Sequence, residues 1–118
     1  MASMLMNERT HQPVATALEL AVTRRARRRG LLGRDGLDDS AALMLAPCTA
    51  VHTAFMRFAI DVLFLDRDGC AVKIVPDVAP WRIAAAARAY AVVEMAAGSA
   101  RRQGVQVGDR LYVSPEGI

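Results

Sequence analysis

Residues 60–65 read Ile-Asp-Val-Leu-Phe-Leu and, past the turn Asp66-Arg67-Asp68-Gly69, residues 71–75 read Ala-Val-Lys-Ile-Val. Two apolar runs of strand length around a short turn define a β-hairpin. Its glycine supplies the positive φ that a two-residue primed turn or a three-residue loop with a bulge requires. The first run is apolar on both faces after Asp61, so it belongs in the interior of a sheet rather than at an edge. The fold must therefore provide a strand on each side of Ile60–Leu65.

Other segments supply them. From Val14 to Val22 the larger apolar residues alternate with alanines and Glu19, a period of two that argues for a strand. Thr23 then fits as the N-cap of a short helix from Arg24 to Arg29, with Gly30 as the residue past its end. Residues 33–42 have loop composition, and the apolar stretch Leu43–Ala46 stops at Pro47. Residues after Pro76 read as a long connection. Tyr90–Met95 is a strand with Tyr90, Val92 and Glu94 on one face and Ala91, Val93 and Met95 on the other. Ser99 can cap one helical turn through Gln103, ended by Gly104, before a last strand at Arg110–Val113.

With 118 residues there is room for one domain, and a hydrophobic share of 53% excludes disorder as the general state. Residues 1–13 are polar and end at Pro13, so they read as a flexible N-terminal tail, with residues 14–118 as the domain. Five or six short strands, two short helices and no β-α-β rhythm predict a mainly β (α+β) fold, a small β-barrel or sandwich-like domain.

The formal charge of +3 is local. Arg24, Arg25, Arg27, Arg28 and Arg29 stand in one six-residue stretch, while residues 43–118 carry eight basic and seven acidic side chains. Such a cluster invites docking to an acidic partner or to nucleic acid. The aromatic interleaving, base-reading helix or zinc module that would support nucleic acid is absent from the sequence, so a solvated charged helix is the plainer expectation. No run approaches the roughly 20 apolar residues of a membrane span, and residues 1–13 lack the pattern of a signal peptide. The expected setting is cytoplasmic, with no membrane partner and with Cys48 and Cys70 as free thiols. No motif calls for a cofactor, and the Cys and His spacing fits no zinc pattern.

Reactive side chains concentrate in Pro47–Asp61. Cys48 and His52 are the residue types of a nucleophile and base, because a thiolate needs a nearby cation or base at neutral pH. On an extended strand they would lie about 13 Å apart, and only a turn between them would bring them together. The bland alternative is a small buried thiol beside a packed imidazole. Asp61 opens an apolar strand, where a carboxylate must be paired with a cation such as Arg57 or Arg82, or bonded to backbone. Trp81 with Arg82 is a ligand-contact pair or simple packing. Glu94, if it faces inward, has a raised pKa and becomes a site candidate.

In this order, the Arg-rich turn ending in Gly30-Leu31-Leu32, the block Val51–Gly69, Pro80-Trp81-Arg82, Glu94–Gly98 and Gly104–Leu111 resemble the family catalogued as domain of unknown function 192. The resemblance spans about residues 16–114, and its central block is the specific part. It implies a compact, mostly β, barrel- or sandwich-like domain and no established activity. The better-known form of that family has Trp-Met-Lys-Asn-Thr where this chain has His52–Met56, and a proline at Ala59. The chain is thus similar to a His-Thr branch, and no role carries over to His52 or Thr53. Asp61 and Asp66 match both forms.

The expected function is a non-enzymatic module that binds a small ligand or a protein partner in a pocket lined by His52, Asp61, Trp81, Arg82 and Glu94. One alternative is a thiol- or carboxylate-dependent enzyme using Cys48 with His52, or Asp61 with Glu94. The other is an interaction domain acting through Arg24–Arg29.

Overall fold

In the computed structural model, which describes residues 3–115, all six residues of Ile60–Leu65 are buried. Among the described residues the elements run β1 (Ser3–Asn7), β2 (Gln12–Ala21), α1 (Arg24–Arg29), β3 (Ala41–Leu45), β4 (Ala50–His52) and β5 (Ile60–Leu65). They continue as β6 (Ala71–Val78), β7 (Ile83–Ala85), β8 (Ala91–Ala96), α2 (Ser99–Arg102) and β9 (Leu111–Pro115). Seven strands form one sheet in the order β6-β5-β8-β3-β2-β1-β9, and β4 pairs with β7 in a small second sheet. The hairpin read from the sequence is β5–β6, and β5 is flanked by β6 and β8 as its two-sided apolarity requires.

The large sheet curls until its outer strands meet at one end. Cys70 bridges Arg110, and Leu111 N–H donates to Gly69 O at 2.9 Å, so the mainly β expectation resolves as a curled half-barrel. Gly69 is needed there twice over. Its φ is +86°, and a Cβ at this position would collide with the carbonyl oxygen of Leu111.

Three readings change. Residues 3–7, expected in a flexible tail, form β1 between β2 and β9 with Leu5 fully buried. The polar run that looked like a tail is the turn joining β1 to β2. The supposed long connection after Pro76 holds the end of β6 and all of β7; Pro76 is tolerated because β6 is an edge strand and needs no donor on its outer side. Moreover, β2 and β3 are parallel and joined through α1, a single β-α-β unit whose helix is too short to announce itself by periodicity. A smaller revision concerns Ser99, which does not cap α2. Gly98 holds the cap position, and Ser99 Oγ donates to Asp39 O at 3.2 Å.

Burial falls into two clusters on opposite faces of the sheet. Leu63, Leu65, Val93 and Met95 belong to one, together with Leu5, Val14, Leu18 and Leu111. Ile60, Val62, Phe64 and Val92 belong to the other, with Leu31 after α1, Leu43 and Leu45 of β3, and Ala84 of β7. Strand alternation thus assigns every side chain of β5 and β8 to one face or the other.

Candidate functional site

The second face carries a cavity of about 330 Å³ beneath α1. Thr23 starts that helix as expected, its side chain accepting from Ala26 N–H at 3.0 Å, and Gly30 ends it with φ +48°. Nothing acidic stands in the first turn, so the arginines there oppose the helix dipole. Arg24, Arg27, Arg28 and Arg29 line the cavity. Arg27 is tied down by donating to Val22 O at 2.8 Å. Among the described residues, no arginine of α1 forms an ion pair, whereas Arg9, Arg34, Arg57, Arg102 and Arg110 each do.

Glu94 closes the cavity from below. Alternation along β8 places it on the same face as Val92, and its cross-strand neighbours are Leu43 on β3 and Val62 on β5. Neither can donate a hydrogen bond from its side chain. The residue is 3% exposed, and among the described residues no donor is bonded to its carboxyl group. Because no fully buried polar side-chain atom there lacks a partner, that remaining exposure sits at the carboxyl tip, open to the cavity. Burial pushes its pKa up to about 7, opposed by the charge of Arg34. Leu31, Leu45 and Met56 add apolar surface to the lining.

Cys48 and His52 also line this cavity, but they do not work on one another. Cys48 Sγ donates to Ala50 O at 3.1 Å, and His52 Nδ1 accepts from Ala54 N–H at 3.3 Å. Burial pushes the Cys48 thiol pKa up, and the nearby Glu94 adds to the rise. That is the opposite of what a thiolate nucleophile requires.

The remaining candidates lie elsewhere. Asp61 is on the other face of the sheet, opposite Met95, and lines a separate hollow of about 720 Å³. Both of its oxygens are occupied by backbone donors, Asp77 N–H and Ala100 N–H, each at 2.9 Å. It therefore cannot act together with Glu94: the sheet stands between them. Trp81 is 60% exposed and packs on Phe55 with ring centroids 4.6 Å apart. Arg82 donates from its side chain to Trp81 O, outside the cavity under α1.

Two contributors escaped sequence reasoning. The arginine helix forms a wall of the cavity; the available signal was that Leu31 and Leu32 follow it and must bury against the sheet. Thr53 is a fully buried hub whose Oγ1 donates to Ala79 O at 2.7 Å and accepts from Arg82 N–H at 2.8 Å, fixing the β4 and β7 ends to one another. No pattern in the sequence distinguishes it from an exposed threonine.

The family model DUF192, described as "Uncharacterized ACR", matches residues 5–113. Two solved structures share the fold. One is a protein of unknown function from Novosphingobium aromaticivorans, with 22% identity over 93% of this chain and 82% of that one and a TM-score of 0.80. The other, from Sinorhizobium meliloti and provisionally described as a transcription regulator, shows 24% identity over 94% of this chain and 91% of that one, with a TM-score of 0.82. No curated protein matches the chain.

Proposed function

The chain belongs to the DUF192 family, and we propose that within this fold it is a non-enzymatic module that binds a small ligand in the cavity between α1 and β8. The carrying observation is Glu94, a buried carboxyl open to the cavity with no donor bonded to it among the described residues. An acidic group left this way costs stability, because the desolvation of its charged form is not offset. A ligand supplying a donor removes that cost. The thiol alternative is disfavoured by the upward shift that burial imposes on Cys48. The paired-carboxylate alternative is disfavoured by the placement of Asp61 and Glu94 on opposite faces.

Amide chemical shifts test the proposal when a fragment set of short alkyl carboxylates, amines and alcohols is titrated into the labelled protein. Saturable shifts concentrated at Gly30–Leu32, Cys48–His52 and Glu94 are expected. Shifts scattered over the surface, or confined to the hollow beside Asp61, would overturn it.

A further inference from the structure

Resting on the assignment of this cavity as a ligand site, we infer that its ligand is a small elongated molecule carrying an anionic group at one end and an N–H donor at the other. The arginines of α1 take the anion, and the Glu94 carboxyl takes the donor.

The two ends of the cavity differ in what they lack. Its helical wall presents Arg24, Arg28 and Arg29 without an acidic partner among the described residues, although five arginines elsewhere in the chain have one. Arg24 and Arg28, four residues apart on one face of the helix, repel, and an anion seated between them relieves that repulsion. The floor presents the reverse need. Glu94 has only apolar cross-strand neighbours, and Gly30, whose Cβ would lie 3.9 Å from its Oε1, offers that oxygen no side chain. Leu31, Leu45 and Met56 also line the cavity and would suit an apolar middle. A volume near 330 Å³ is at the small end of ligand cavities and suits a small molecule.

This arrangement also says what is rejected. A molecule anionic at both ends would set a second negative charge against Glu94. A purely cationic one would meet the arginines first. The class that satisfies both ends is that of the ω-amino carboxylates and their amide or organic phosphate analogues.

Calorimetric titration of the intact protein with 6-aminohexanoate, hexanoate, hexylamine, hexanol and adipate tests the inference. 6-Aminohexanoate should bind at least roughly tenfold more tightly than hexanoate, hexylamine or adipate, the scale of one charge-assisted hydrogen bond. Glu94→Gln should remove most of its advantage over hexanoate, and Arg28→Gln most of its advantage over hexylamine. If hexanol or hexanoate binds in the cavity as tightly as 6-aminohexanoate, the ligand class is wrong and the cavity assignment stands. If none of the five binds, both fall. The comparison among probes uses the unmodified chain, so it holds even if a variant does not fold.

Discussion

Glu94 in β8 and Gly30 at the end of α1 face each other closely: a Cβ on Gly30 would lie 3.9 Å from Glu94 Oε1. The helix end therefore approaches the carboxyl without supplying it a side-chain donor. Its pKa is raised by burial to about 7, above the unfolded value of 4.5.

That shift fixes a sign. Below the unfolded value both states hold the proton and Glu94 is not a burden. Between the two values the unfolded chain ionises first, so native stability falls as pH rises, and above about 7 the loss is complete. The scale is on the order of 2–3 kcal/mol. Urea unfolding of Glu94→Gln and the unmodified chain should show the variant gaining that much relative stability from about pH 5 to about pH 8. A stability difference that does not change with pH would contradict it.

Cys48 should be a slow thiol. Burial raises its pKa and Glu94 adds to the rise, which together outweigh the lowering by the Ala50 hydrogen bond and by Arg27. In a Cys70→Ser background, the native protein near neutral pH should react with iodoacetamide several-fold more slowly than the same protein unfolded in urea, because the thiolate is the reacting form. A native thiol reacting faster than the unfolded one would reinstate the thiol-enzyme reading.

Asp61 should matter for folding and not for ligand binding. Its two oxygens accept from Asp77 N–H on the edge strand and Ala100 N–H in α2, so removing them strands two backbone donors. Asp61→Ala should cost about 3 kcal/mol and speed hydrogen exchange at the Ala100 amide. Asp61→Asn keeps one acceptor and should cost less. Unchanged stability in the alanine variant would show that water replaces the carboxylate.

The sequence made the strand framework legible where apolar runs were long or alternated cleanly. Ile60–Leu65 showed its central position because both faces are apolar, and β8 showed which side Glu94 takes because alternation fixes it. Ser3–Asn7 was missed because a five-residue strand followed by Glu8, Arg9, Thr10 and His11 looks like a polar tail. The site was legible only in part. Cys48, His52 and Glu94 converge, but Asp61 falls on the opposite face, and no spacing in one sequence reveals how a sheet divides two carboxylates 33 residues apart. The arginines were judged by their charge alone, whereas their place is set by Leu31 and Leu32, which carry the helix end onto the sheet.

Asp109 joins the N-terminal strand to the approach of β9, and its contribution should depend on pH in the sense opposite to that of Glu94. Arg9 Nε donates to Oδ1 at 2.6 Å, Asn7 Nδ2 to Oδ2 at 2.9 Å, and Gln106 N–H to Oδ2 at 2.8 Å. The hydrogen bond from Arg9 is the main reason its pKa falls from 3.8 to about 2. A depressed carboxylate gives its full stabilisation above the unfolded value and loses it as pH drops through the folded one. Arg9 is half exposed, so solvent screens the pair, and the share expected from the Asp109 carboxylate is at most about 1 kcal/mol. Asp109→Asn should therefore lower stability by that amount near neutral pH, and the deficit should close as acid is added from about pH 4 to about pH 2. Arg9→Ala should show a smaller deficit with the same pH course, because Asn7 and Gln106 still donate to the carboxylate. If the Asp109→Asn deficit persisted undiminished in acid, the carboxylate charge would not be what ties β1 to β9, and hydrogen-bond geometry alone would have to account for the tie.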